Sequence, residues 1–300
     1  MHNLKTNFDK LFPIVKASLQ NFIDSEGNIP KTGRKPKFSD LELITLSLSA
    51  EALSISSENL LFHKLRSEYK SYFTHLIDRS QFNRRRRFLA HYIHQAQQYL
   101  AEQLCQGEDT YLIDSMPLPV CRFTRAKRLK ICKQDPASSP EYGYCASHNS
   151  HYYGYKLHGV CSLSGVFTDF ELSKAYVHDI HYLNDIKYHY PNCMMLGDKG
   201  YLNAQNQLDL FEKHHIDLKT PMRENQKDYK RQPKVFRKVR KRIETLFSQL
   251  NDQFLIGHNY AKSFAGLAVR IISKITALTI LQFINHLNNK PLNHIKHALS

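Results

Sequence analysis

The alternation of apolar and polar positions changes character partway along the chain. Up to about residue 105 the apolar residues recur at helical spacing. Leu4, Phe8, Leu11, Val15, Leu19 and Phe22 mark one face of a helix over Leu4–Asp24, which Pro13 can kink. Gly27–Pro36 breaks the pattern with glycines and prolines, and Ser39 with Glu42 then forms a capping box for a helix through Leu48. Ser56 or Ser57 starts a further helix through Leu60, Leu61 and Leu65, and Ser80 opens a longer one with Phe82, Leu89, Ile93, Ala96 and Leu100. From Thr110 onward shorter apolar runs predict strands. Tyr111, Leu112 and Ile113 run up to Asp114; Tyr152–Ser162 and Val166–Ser173 form a strand pair with a turn at Ser164–Gly165; Asp179 caps a helix; Asn192–Leu196 leads to Asp198. Helical spacing returns at Val235–Phe254, through Val239, Ile243, Leu246, Phe247, Leu250 and Phe254, and the long apolar segment Ser263–Leu287 is expected to pack on the sheet. Strands followed by helices in this order predict an α/β fold with a mixed sheet and flanking helices, residues 106–300, preceded by an all-helical region, residues 1–105.

Three acids fall at positions where this pattern turns a carboxylate toward a shared point. Asp114 and Asp198 follow apolar runs and read as strand-end carboxylates, while Glu244 borders the buried stripe of the Val235–Phe254 helix. Hard divalent cations take oxygen ligands and keep waters, so one or two carboxylates per ion suffice beside substrate phosphates. Two such ions can stabilise the attacking and leaving oxygens of an in-line displacement. The spacing therefore points to metal-dependent phosphodiester chemistry. Glu224 is a competing third acid, but it follows Pro221 in a polar stretch without apolar periodicity.

The segments YLIDSMP around Asp114, LGDKGYLN around Asp198 and RKVRKRIETLFSQL around Glu244 resemble the DDE motifs of bacterial insertion-sequence transposases, in particular insertion-sequence family nine-eight-two. The resemblance extends through GYCASHNSHYYGYKLHGV at Gly143–Val160 and GRKPKFSDLELITLSL near the N-terminus. It implies an RNase H-like catalytic core, with the first Asp on the first strand, the second after the fourth strand and the Glu on a later helix. It also implies Mg²⁺, with Mn²⁺ able to substitute, Asp114 bridging two ions while Asp198 and Glu244 each hold one, and a homodimer that brings together the terminal inverted repeats of an element with target DNA. Related groups carry a Tyr seven residues and an Arg four residues before the Glu, and a Lys seven residues after it. Here those places hold Arg237, Arg240 and Asn251, so only the Arg agrees.

Charge supports a polyanionic partner: 42 Lys and Arg against 27 Asp and Glu give a formal net charge of +15. Lys199, beside Asp198, and Arg240, one helical turn before Glu244, are placed to meet a phosphate, with Arg237 and Lys241 as further DNA contacts; an intrahelical Arg240–Glu244 pair is the competing reading. Lys227–Arg242 holds nine Lys or Arg and one Asp and lines the approach to Glu244 or forms an ordinary exposed helix face. The basic insertion 117–150 is a DNA-facing loop or a mobile surface segment. Arg84–Arg87 is equally a DNA contact or a structural run, and Gly33–Lys37 a minor-groove arm or a linker. The short N-terminal helices suit a helix-turn-helix-like DNA-binding region.

His178, His181 and Lys156 read as structural. The six cysteines include no CxxC pair and read as reduced thiols, although Cys145, His148 and His151, with Cys121 or Cys132, offer a zinc half-site. MHNLKTNFDK lacks an apolar signal core, and Arg270 and Lys274 interrupt the most apolar segment, so a cytoplasmic, nucleoid-associated protein without a membrane span is expected. A nuclease of related fold that cuts without joining, or a DNA-binding repressor with a dead core, would retain much of this pattern.

Overall fold

The computed structural model describes residues 3–226 and 229–299. Its elements run, in chain order, α1 (Leu4–Ser18), α2 (Asp40–Ala52), α3 (Glu58–Glu68), α4 (Arg79–Phe88), α5 (Ala90–Leu104), β1 (Thr110–Pro119), β2 (Glu141–Cys145), β3 (Ser150–Ser162) and β4 (Phe167–Lys174). There follow α6 (Tyr182–Ile186), β5 (Cys193–Leu196), α7 (Ala204–His214), β6 (Ile216–Lys219), α8 (Lys234–Asp252) and α9 (Phe264–Leu287). Two compact units result. Cys105–Gln249 forms one, and the other is assembled from Met1–Leu104 together with Leu250–Ser300.

The helical unit starts its elements where side chains satisfy free N–H groups. The capping box at α2 is formed: Glu42 N–H donates to Ser39 Oγ, and Ser39 N–H donates to the Glu42 carboxylate. Ser57 caps α3. The single helix expected from Ser80 is instead two, α4 and α5, and Asp78 caps the first because its carboxylate accepts from both Ser80 and Gln81 N–H. A second difference concerns α9, expected on the sheet: it belongs to the helical unit, packed on α5 and α2. Its buried cations explain the seat. Lys274 Nζ lies 2.6 Å from Glu51 Oε2 of α2 and donates to the Phe254 carbonyl at 2.6 Å. Arg270 Nη2 lies 3.3 Å from Glu58 Oε1, which Arg86 Nη2 approaches at 2.7 Å. A buried cation is tolerated where a carboxylate is buried with it, so these acids select the face that α9 occupies. Though α9 is long and apolar enough to cross a membrane, most of it is buried within this unit.

The same network resolves the arginine run. Arg86 is buried and Arg85 Nη2 pairs with Asp40 Oδ1 at 2.6 Å, leaving Arg84 and Arg87 exposed. Lys35, in the Gly33–Lys37 segment, pairs with Asp24 at 2.8 Å and with Glu26 at 3.5 Å.

In the other unit six strands among the described residues form one mixed sheet in the order β2-β3-β1-β5-β6, with β4 also paired to β3. β1, β2 and β4 run antiparallel to β3, whereas β1, β5 and β6 run parallel to one another. With its curled sheet, its flanking helices and the N-terminal helical region, the fold is RNase H-like. Ile113, Val160, Tyr182, Leu183, Met195 and Tyr201 belong to a core cluster on one face. The expected β3–β4 hairpin is present, turning at Gly165 with φ of 83°. Residues 117–150 are not one uniform loop: Pro117–Pro119 completes β1, and Glu141–Cys145 is the edge strand β2. That added strand means the second Asp follows β5, the fifth strand, where the resemblance implies the fourth. The short α7 and β6 carry too few apolar residues to have stood out in the pattern.

Candidate active site

Strand pairing brings Asp114 and Asp198 to corresponding positions. The parallel register of β1 and β5 aligns Thr110 with Met194 and Leu112 with Leu196, so each acid lies two residues beyond the last pair. Asp114 is not at a strand end, as the apolar run suggested, but mid-strand, because β3 stays paired with β1 as far as Pro119. What ends beside it is β5. The two acids thus flank the carboxyl end of the parallel strands, where open α/β sheets leave a crevice. The Asp198 carboxylate accepts the Gly200 N–H at 2.7 Å, and Asp114 Oδ1 accepts the Ser115 N–H at 2.8 Å.

This setting changes the chemistry of Asp114. Burial pushes its carboxyl up from 3.8 to about 7; the charge of Asp198 adds to the shift and that of Asp179 contributes, while the Ser115 N–H and Arg240 oppose it. Arg240 Nη2 stands 4.0 Å from Asp114 Oδ2, so α8 delivers a guanidinium to the acid. No Arg240–Glu244 pair forms among the described residues. Tyr201 is fully buried, and its hydroxyl has no partner among the described residues. Burial holds that hydroxyl well above its usual range, with Asp179, Asp114 and Asp198 reinforcing the effect.

A further acid belongs to this neighbourhood. Asp179 was expected to cap a helix, yet His178 does so, its Nδ1 accepting the Ile180 N–H at 3.3 Å. Asp179 turns inward instead. Its Oδ1 accepts Ser115 Oγ–H at 2.9 Å and pairs with Lys156 Nζ at 2.9 Å. His158 Nδ1 lies 3.8 Å away, and burial lowers that imidazole to about 4, so it is neutral at pH 7. Lys156, read as structural, is therefore the partner of an acid near the site. No sequence signal marks Asp179, because Ser115, Lys156 and His158 come from two strands remote from it in the chain.

The remaining candidates are less concentrated. Glu244 is exposed on α8, one turn beyond Arg240 and beside the buried Ile243 and Phe247, and makes no hydrogen bond or ion pair among the described residues. Lys199 and Lys241 are exposed and Arg237 is half-buried. Lys199 lines an open groove of about 660 Å³ with Asp198, Asp179, Lys156 and Arg223. Glu224 is exposed, and Lys227 and Asp228 of the basic run lie outside the described residues. In the zinc half-site, the side chain of His148 lies outside the described residues, and Cys132 is buried.

Among the described residues no group of three or more His, Cys, Asp or Glu is disposed to hold a metal ion on its own. A pair of crowded carboxylates nonetheless fits a cation that retains waters and takes its other ligands from a phosphate. Burial and the charge of Asp198 together hold Asp114 near 7, and a cation bound there would offset both by favouring its ionised form.

Compared with known families, residues 106–280 match the family model described as transposase DDE domain. No curated protein and no solved structure matches the chain.

Proposed function

The chain belongs to the transposase DDE domain family, and from that premise we propose that it cuts the ends of an insertion sequence and joins the freed 3′-hydroxyl to target DNA. The family carries transposition and DNA recombination as its function. The observation that supports the chemistry proposed here is the alignment of Asp114, within β1, with Asp198, just beyond the end of the parallel strand β5. With Glu244 from α8, these acids would hold Mg²⁺ or Mn²⁺, which when bound supplies Lewis acidity at the scissile phosphate and lowers the pKa of a coordinated water.

The chain's own groups prepare that site. Asp114 and Asp198 concentrate negative charge where a cation must sit, and Arg240 meets the phosphate from the α8 side once the cation neutralises its present partner. Lys199, Arg237 and Lys241 draw the DNA backbone toward the crevice. The DNA ends are held by a homodimer, through the short helices of the N-terminal region.

The test is incubation of the purified protein with labelled DNA carrying the ends of its element and Mg²⁺, beside Asp114→Ala, Asp198→Ala and Glu244→Ala. Cleaved and joined products are expected from the wild type, with each variant reduced by about 10²–10³-fold, as for loss of a main transition-state contact. Retained activity in Glu244→Ala would remove that residue from the site. Cleavage without joining would make the protein a nuclease, and binding without cleavage a repressor.

A further inference from the structure

Asp179 makes contacts that an ordinary surface acid does not. One oxygen takes both the Ser115 hydroxyl, at 2.9 Å, and the Lys156 ammonium, at 2.9 Å, and Lys156 is itself fixed by donating to the Val177 carbonyl at 2.8 Å. The other oxygen lies against Gly200. A side chain there would put its Cβ 2.9 Å from Asp198 Oδ1 and 3.2 Å from Asp179 Oδ2, so the two carboxylates crowd the same backbone position. Asp179 therefore bonds to Ser115, the neighbour of Asp114, on one side and borders Gly200, two residues beyond Asp198, on the other. Ser115 is tied in turn to Asp114, whose Oδ1 accepts its N–H.

We propose that Asp179 is a positioning residue whose carboxylate, braced by Lys156, locks Ser115 of β1 and the Gly200 turn after β5 and so fixes the separation of Asp114 and Asp198. The inference rests on the reading of those two acids as the cation-holding pair. Lys156 explains why Asp179 is a brace and not a third ligand: its charge is already matched by the Lys156 ammonium 2.9 Å away. Residues that orient ligating carboxylates commonly change metal affinity or activity by about 10–100-fold when replaced.

Two measurements on the intact chain test this. In metal-free protein, hydrogen exchange at the Ser115 and Gly200 amides should be at least about tenfold faster in Asp179→Asn than in wild type, with exchange in α7 unchanged as the control for folding. In Mn²⁺ titrations followed by calorimetry, Asp179→Asn and Ser115→Ala should each bind about 10–100-fold more weakly, and the double variant no worse than the weaker single one, since both remove the same clamp. Wild-type exchange at Ser115 and Gly200 in Asp179→Asn, or unchanged Mn²⁺ affinity in a variant whose parent binds Mn²⁺, would overturn the proposal. A wild type that binds no Mn²⁺ would remove the reading of the acid pair, and the clamp would then stand or fall on the exchange rates.

Discussion

Burial gives Asp114 a charge state that depends on pH in a range where exposed carboxylates are inert. Its carboxyl, held near 7 in the metal-free fold against an ordinary 3.8, binds a proton more tightly folded than unfolded. The sign follows from linkage: the folded state holds the extra proton between those two values, so stability falls as pH rises through that window and levels off above it. Asp114→Asn carries no such proton. In chelator-treated protein the variant should therefore gain on wild type from pH 5 to pH 8, by on the order of 1 kcal/mol per pH unit below 7, as read from urea unfolding midpoints. A gap between the two proteins that is the same at both pH values would rule this out. Asp114 and Asp198 were legible in the sequence because each follows an apolar run short enough to be a strand. Asp179 was not, because what distinguishes it is a hydroxyl, an ammonium and a glycine from three separate segments, and no periodicity records such a meeting.

At the scale of elements, amphipathic helices announced which face they bury and uniformly apolar ones did not. Val239, Ile243, Leu246 and Leu250 give α8 one buried stripe, which placed Glu244 beside it before any geometry was known. α9 is apolar on most of its surface, so its pattern names no partner; the choice is made by Arg270 and Lys274, whose counter-charges Glu51 and Glu58 lie more than two hundred residues earlier. The consequence is measurable. Glu51→Gln leaves Lys274 without its charged partner in a fully buried position and should lower stability by about 3–5 kcal/mol, read as a reduced denaturant midpoint. An unchanged midpoint would mean that solvent reaches the pair.

For the whole molecule, the excess of positive charge fixes how binding responds to salt. Each phosphate neutralised on duplex DNA adds about 0.9 to the slope of log affinity against log salt. Arg237→Gln and Lys241→Gln should each lower that slope by about 1 and weaken binding to unrelated sequences equally; a change confined to one sequence would assign them to base reading instead. The arginine run shows the limit of counting charge, since Arg86 is committed to buried acids and cannot reach a phosphate.

The joining of Met1–Leu104 with Leu250–Ser300 in one compact unit also imposes an order in time. During synthesis α1 to α5 emerge long before α9, with Glu51 lacking Lys274 and Glu58 lacking Arg270. The helical unit cannot be complete until α9 has followed Cys105–Gln249 from the ribosome, so the part proposed to grip DNA is finished after the part proposed to cut it has been made. A ribosome that stops early releases a chain with a sheet and no finished grip.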